Sequence, residues 1–318
     1  MSTLLKAGAL VAALALIAIG WTWWGPGPLA RTATVSIHEG STQASAARTL
    51  ATAGAIRGRS WYYLGRILGG GGHIQAGEFE IPANSSGSAI LDLLKNGRPV
   101  QRLITVTEGM PAILVAERLA ANGFLTGPLP PIAEGSVLPD SYGYERGERR
   151  AKVVERMQSA MTTTLAELWA KRSQNCPVAT AQDAIILASV VEKETGKPSE
   201  RPTIAGVYCN RLKIGMKLDA DPTVIYPVTK GKPLGRRILR SEVDAANGYN
   251  TYRRVGLPDG PIANPGRDSI AAVLHPAPTR ALYFVADGSG GHVFANSLSQ
   301  HQENVSKWFA LRRSKGEM

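Results

Sequence analysis

The sequence predicts an α+β protein: a mixed α/β body behind an N-terminal transmembrane helix. Three observations predict it. Residues 7–24 carry no charge, a strand–turn–helix pattern occurs twice between residues 33 and 125, and amphipathic helices, irregular loops and late alternating strands fill the rest. The chain has 318 residues, 44% hydrophobic and 19% charged, with a formal net charge of +11. That apolar fraction suffices for packed cores and excludes a wholly disordered chain. Length alone is a soft prior for about two domains. The positive balance fits nucleic acid, anionic lipid or an acidic polymer as partner, or merely a basic solvated surface.

The first element is the anchor, placed at residues 1–25. Residues 7–24 read AGALVAALALIAIGWTWW, 18 positions without a charge. At about 1.5 Å per residue such a helix just crosses a hydrocarbon core of about 30 Å. Trp21, Trp23 and Trp24 close it, where amphipathic rings favour the headgroup layer. Gly25-Pro26-Gly27-Pro28 then breaks the helix. A cleaved signal peptide would need a shorter apolar core and a small-x-small cleavage site, and the tryptophan cluster argues against that. Lys6 and Arg31 give only a weak charge bias, but the short N-terminal tail favours export of the large C-terminal part. Export, with no basic stripe interleaved by aromatics, disfavours a nucleic-acid partner.

Next comes a repeat. Residues 35–56 align without gaps on residues 104–125 at an offset of 69, with six identities in 22 positions, among them Glu39/Glu108, Gly40/Gly109 and Gly54/Gly123. Each copy reads as a short strand, a turn at Glu-Gly and an amphipathic helix. The glycine 15 positions after the turn falls where a helix end needs a left-handed residue. Shared β-turn-α punctuation could produce six matches, so duplication of structure is a firmer reading than common ancestry. Between the copies Gly69-Gly70-Gly71-Gly72 reads as a flexible loop, and a helix is expected from about Ser88 to Asn96, ending at Gly97. Each copy resembles the opening of a LysM module, a small fold that binds N-acetylglucosamine-containing glycans. Residues 33–126 are therefore expected to form a LysM-like β/α subdomain.

Residues 127–310 are expected to form the catalytic domain. Residues 127–150 are irregular and polar and include Glu134-Gly135-Ser136-Val137-Leu138-Pro139-Asp140-Ser141-Tyr142. A long charged helix follows over about 149–170, and another starts near Ala181. On a helical wheel with Leu187 at zero, Ala184, Val190 and Val191 line one stripe and Glu194 falls at about −20°, inside it. Glu192 falls at about 140°, beside Ser189 and Lys193, and is expected to face solvent. A carboxyl in an apolar stripe loses hydration, its pKa rises, and it suits general acid chemistry near neutrality. The wheel equally allows a structural strut, Glu194 paired with Arg201 or Arg211.

The following segments favour a site. Ser199-Glu200-Arg201-Pro202 opens a helix with a capping serine, Ile204, Val207, Tyr208 and Leu212 give its apolar face, and Gly215 closes it. Residues 216–226 read as a polar loop and strand. Tyr249-Asn250-Thr251-Tyr252 and residues 256–266 add aromatic and amide groups suited to sugar hydroxyls and ring faces. Residues 282–286 and 292–295 form a hairpin across Asp287-Gly288-Ser289-Gly290-Gly291. Cys176 and Cys209 could pair or stay as two buried thiols. His275, His292 and His301 are separated by 17 and 9 residues, unlike a helical zinc pair, so substrate contact or hairpin packing is the better reading and no metal or cofactor is expected. Asp219 or Asp221 could supply a second carboxylate, although Asp221 before Pro222 also suits a turn.

Leu187-Ala188-Ser189-Val190-Val191-Glu192-Lys193-Glu194-Thr195, Asn210-Arg211-Leu212, Asp221-Pro222-Thr223-Val224-Ile225-Tyr226, Tyr249-Asn250-Thr251-Tyr252 and Asn264-Pro265-Gly266 together resemble the MltG (YceG-like) endolytic murein transglycosylases. The resemblance implies a membrane-anchored enzyme that cuts nascent peptidoglycan between N-acetylmuramic acid and N-acetylglucosamine without water, with Glu194 catalytic. It implies substrate contacts from Asn210, Arg211, Asp221, Thr223, Tyr226, Asn250 and Tyr252, cell-wall synthases as partners, and a place in the bacterial inner (cytoplasmic) membrane with the body outside. Leu138 stands where the family usually has an aromatic residue, so a stacking role there is not expected. A non-catalytic glycan-binding scaffold and a muramidase-type hydrolase are the rival readings.

Overall fold

The computed structural model describes residues 3–70 and 72–316, so Gly71 of the expected glycine loop lies outside the described residues. In chain order the elements are α1 (Thr3–Trp24), β1 (Ala33–Ile37), α2 (Gln43–Thr52), α3 (Ser60–Ile67), β2 (Gly77–Ile81), α4 (Gly87–Asn96), β3 (Arg102–Thr105), α5 (Ala112–Ala121), β4 (Ser141–Tyr144), α6 (Arg150–Ala170), α7 (Ala181–Glu194), a 3-10 turn (Pro198–Glu200), α8 (Arg201–Lys213), α9 (Asp221–Thr229), α10 (Arg240–Asp244), α11 (Arg267–Leu274), β5 (Tyr283–Ala286), β6 (His292–Ala295) and α12 (Leu298–Ser314). Two compact units result: residues 1–102 with 143–148, and residues 103–142 with 149–318. The second strand–turn–helix copy therefore belongs with the unit that carries α7.

In the first unit β1 pairs antiparallel with β2, Val35 opposite Phe79. Their inner face packs on α2, α3 and α4 through Val35, Ile37, Leu50, Trp61, Phe79, Ile81, Ile90 and Leu94, all buried. Thr42 caps α2 by accepting the Ser45 N–H, and Ser86 caps α4 by accepting the Ala89 N–H, so short polar residues fix both starts. The helix α3 has no counterpart in the sequence reading. Glu78 lies buried beneath it all, neutralised by Arg102 at 2.9 Å and Arg146 at 3.3 Å.

Within α1 the stretch Lys6–Trp24 is long and apolar enough to cross a membrane. Its three tryptophans divide: Trp21 and Trp24 are exposed, but Trp23, expected at the headgroup layer, sits in the core of the first unit. The helix thus meets the core of the first unit through Trp23, and just after it the Gly27 N–H donates to the Asn84 carbonyl at 3.0 Å. Gly27 passes so close to the Ser85 carbonyl that an added Cβ would lie 2.0 Å from its oxygen.

The second unit is built around α7. A capping box of Thr180 and Asp183 starts this helix. Helices α8, α11, α6 and α9 pack around it, and its Leu187, Ala188, Val190 and Val191 join Ile204, Tyr208, Leu218, Ile270 and Val273 in one core. Because α7 is surrounded, Ala184 through Glu192 are all buried. The wheel's assignment of Glu192 to solvent is therefore wrong: it assumed one buried face, and over 184–192 this helix has no free one. Two local expectations also fail. Residues 221–229 are helical, with Pro222 in the first turn, where its missing N–H costs nothing. Ser199 lies inside the 3-10 turn and caps nothing; α8 begins without a side-chain cap. The hairpin of β5 and β6 forms as expected, Tyr283 opposite Ala295, with the Ser289 and Gly291 N–H groups donating to Asp287 Oδ1.

The strand and helix of the second copy, β3 and α5, stand 69 positions after β1 and α2 at the starts of both elements. Gly40, Gly54 and Gly109 have positive φ, as the turn and helix-end roles require. Gly123 does not: α5 ends at Asn122 in an extended conformation, so the left-handed position expected there is not used.

Candidate active site

The site forms where α7 ends, at Glu194. Residue 194 is partly buried as a whole, but its carboxyl is enclosed, and Oε1 has no hydrogen-bond partner among the described residues. Burial pushes the carboxyl up to about 7, against the opposing hydrogen bond of the Tyr208 side chain. The nearby Asp221 carboxylate raises it further and the Arg211 guanidinium lowers it. An enclosed carboxyl with a donor on one side and an unpartnered oxygen on the other holds its proton near neutrality.

Three elements supply these neighbours. Tyr208 and Arg211 lie on consecutive turns of α8, both buried. Arg211 is held by the carbonyls of Leu282 and Leu218 at 2.6 and 2.7 Å, and lies 3.9 Å from Asp219, whose backbone is left-handed at φ 46°. Asp221, exposed at the start of α9, accepts the Tyr252 hydroxyl at 2.7 Å. Burial and that hydrogen bond to Asp221 both push the Tyr252 phenol upward, so it stays a donor. Glu194, Arg211, Asp221 and Tyr252 are thus brought together, while the other expected contact residues serve the fold. The Asn210 amide donates to the carbonyls of Thr279 and Ala281. Thr223 is fully buried and bonds Ala220 and Thr251. Asn250, fully buried, donates to the carbonyls of Glu242, Val243 and Ala245 and so ties the loop to α10. Tyr226 is engaged with Glu134 rather than with Glu194.

The strut that the wheel allowed exists, but it uses the other glutamate. Glu192 Oε1 lies 3.0 Å from Arg201, its Oε2 accepts the Gly266 N–H at 2.9 Å, and Arg201 also meets Glu108 at 2.6 Å. A Cβ on Gly266 would fall 2.1 Å from Glu108 Oε1, so any side chain there would have to displace that carboxylate from Arg201. Asn264 completes the knot, accepting the Val137 N–H and donating to the Met110 carbonyl. One carboxylate of the motif, Glu192, thus ties α7 to Arg201 and to the loop at Gly266.

Two groups escaped the sequence reading. Burial raises Glu134 to about 7 despite bonds from the Ala112 N–H and Tyr226. Apart from the adjacent Gly135 N–H, its partners Ala112 and Tyr226 lie 22 and 92 positions away, so no local spacing could flag it. Tyr208 read as one more apolar-face residue. The cysteines are paired, Cys176 to Cys209, which ties the entry to α7 onto α8. Of the histidines, His292 bonds Glu200 at 2.8 Å within the hairpin region and His301 stacks on Tyr283, while His275 is exposed at the end of α11.

The helical core thus encloses the protonatable carboxyl of Glu194, flanked by phenols and a guanidinium, on an α+β scaffold. The pattern of the YceG-like family matches residues 35–307, and the chain belongs to that family. It is similar to the endolytic murein transglycosylase of Bacillus subtilis strain 168, 32% identical over 182 residues, 57% of this chain and 49% of that protein. It is also similar to the endolytic murein transglycosylase of Streptococcus pneumoniae strain D39, 33% identical over 181 residues, 55% of this chain and 32% of that one. The aligned part thus spans half or less of the curated relatives. The fold matches that of a YceG-like protein of Listeria monocytogenes with a TM-score of 0.54 at 22% identity, over 86% of this chain and 98% of that one.

Proposed function

We propose that this protein is a membrane-anchored endolytic lytic transglycosylase that cuts nascent peptidoglycan strands between N-acetylmuramic acid and N-acetylglucosamine and so ends their elongation. The enclosed, proton-holding carboxyl of Glu194 carries the reading. Protonated Glu194 gives its proton to the glycosidic oxygen as the bond from that oxygen to C1 breaks, releasing N-acetylglucosamine with a free 4-hydroxyl. The carboxylate left behind takes the proton of the muramic acid 6-hydroxyl as that oxygen bonds to C1. A 1,6-anhydro ring results, Glu194 is protonated again, and no water is consumed. A group that must give and then regain a proton works best with a pKa near the ambient pH. Arg211 stabilises the transient carboxylate, Tyr208 holds its orientation, and Asp221 with Tyr252 keeps the resting group protonated and offers polar contacts to the sugar.

The anchor and the disulfide both support a place outside the cytoplasmic membrane, because a structural disulfide persists in oxidising compartments. The β-α-α-β order of β1, α2, α3 and β2 supports the LysM-like reading of the first unit, with glycan as its ligand, and cell-wall synthases are the partners this activity would meet. One observation favours a second reading. Asp221 lies within electrostatic reach of Glu194, and a pair of carboxylates is what a muramidase-type hydrolase uses. The Tyr252 hydroxyl already occupies Asp221, which leaves it a poor base.

The deciding experiment treats purified glycan strands with the wild-type protein and Glu194→Gln, and weighs the products. Anhydro ends, lighter by one water, are expected from the wild type, and cleavage by the variant should fall by a factor of about 100 to 10,000 while strand binding persists. Reducing ends would make it a hydrolase; cleavage by the variant would remove Glu194 from the chemistry.

A further inference from the structure

The helix α3 has two unlike faces. Trp61 and Gly65 point into the core of the first unit, where Trp61 Nε1 donates to the Gly87 carbonyl at 2.8 Å. The opposite face exposes Tyr63, Ile67 and the adjoining Leu68 to 61%, 76% and 43%. Among the described residues nothing in the first unit covers these side chains, and their position says what does. A groove of about 300 Å³ is lined by Ser60, Tyr63 and Leu64 of α3 and by Ala18, Ile19 and Thr22 of α1. The start of α3 therefore stands beside the last turns of the apolar helix, not beyond its end. Ala18 precedes Trp24 by six residues, about 9 Å along the axis. Helices that lie in a membrane interface bury their apolar face about 5–10 Å into the headgroup and acyl boundary. The relation is fixed, since Trp23 is packed in the core and its ring lies within contact distance of Gly65 on α3.

Charge points the same way. Residues 41–77 contain no carboxylate and four arginines, Arg48, Arg57, Arg59 and Arg66, of which Arg57, Arg59 and Arg66 are exposed at or beside α3. Tyr62 and Tyr63 add rings with polar tips, suited to the boundary between water and lipid.

We propose that α3 is a second membrane contact: with α1 across the bilayer, Tyr63, Ile67 and Leu68 bed into the outer leaflet and Arg57, Arg59 and Arg66 meet the phosphates of anionic phospholipid. This rests on the anchoring reading above and adds a lipid-binding surface to it. The first unit is then held flat on the bilayer by two points rather than hung from one.

The test uses the full chain in nanodiscs of phosphatidylcholine and phosphatidylglycerol. The native cysteines are locked in a disulfide, so an environment-sensitive fluorophore can be placed on Ile67→Cys or, separately, on Ile17→Cys, both exposed sites. Lipids carry nitroxide quenchers near the headgroup or at mid-chain. The label at 67 should shift to the blue and be quenched most by the shallow nitroxide; the label at 17 should respond to the deep one. Arg59→Glu with Arg66→Glu should return the label at 67 toward a water-like spectrum, and no change there would remove lipid phosphate from the proposal. A water-like label at 67 with a deep label at 17 overturns this inference and leaves the anchor standing. Water-like spectra at both sites overturn the anchor as well. A blue-shifted label at 67 that no lipid quenches means that protein, such as a second copy of this chain, covers the face, and the lipid contact is rejected.

Discussion

Replacing Glu194 by glutamine should weaken catalysis and strengthen the fold, and the second effect can be worked out from the site. The carboxyl titrates near 7 in the folded protein against an ordinary 4.5. Each unit of difference corresponds to about 1.4 kcal/mol. The folded state keeps this proton to higher pH than the unfolded chain does. The stability linked to Glu194 is therefore complete below about pH 4.5 and is lost as pH rises towards 7, where ionising an enclosed carboxyl costs the fold about 3 kcal/mol. Glutamine has the same shape and does not titrate. Urea unfolding of wild type and variant at about pH 4.5 and about pH 8 should show the variant's relative stability rising by about 3 kcal/mol between the two conditions. Any cost of burying the amide appears at both pH values, and other carboxyls, Glu134 included, cancel because both proteins carry them. A difference that stays flat with pH would mean that the Glu194 carboxyl is hydrated, and the acid role would lose its physical basis.

Other outcomes follow from the same geometry. Tyr208→Phe removes a hydrogen bond that favours the ionised carboxyl, one worth about 1.5–3 kcal/mol, so the alkaline limb of the kcat/KM profile should move up by about one to two pH units; a downward move would refute the assignment. Asp221→Asn removes a negative neighbour and should move that limb down. Arg201→Met strands Glu192 in the core and should cost about 3–5 kcal/mol in denaturant unfolding, with Arg201→Met/Glu192→Leu recovering part of it; additivity of the two losses would disprove the pairing. Cys176→Ser/Cys209→Ser opens a bridge across 33 residues and should lower stability by about 3–4 kcal/mol in urea, and a null effect would show that the bridge constrains little.

Much of this was legible in the chain. An uncharged run, a repeat with a fixed offset, helix stops at glycine and an alternating hairpin each depend on neighbours a few residues apart, and α4, α6, α7, β5 and β6 fall close to where those signals put them. The wheel also placed Glu194 among apolar positions, which agrees with its enclosed carboxyl. What failed was anything decided at long range. Glu192 belongs to Arg201 and Gly266, nine and 74 positions away, and no periodicity contains that fact. Residues 216–226 read as a polar loop and strand, yet residues 221–229 are a helix with Pro222 in its first turn. Asn250 and Thr223 carry the polar chemistry that sugars need, but the structure spends it on buried carbonyls and hydroxyls, which sequence cannot distinguish from a surface role.

The knot of Glu108, Arg201 and Glu192 bears on how this chain can be taken apart. Cutting before residue 127, where the repeat ends and the polar segment begins, would discard Glu108 along with Met110, the partner of Asn264. Arg201 would be left with a single close carboxylate, Glu192, and the end of α7 would lose one of its supports. A fragment meant to keep the surroundings of Glu194 intact must begin near Leu103, where the second unit itself begins, so the later copy of the repeat belongs with α7 and not with the earlier copy.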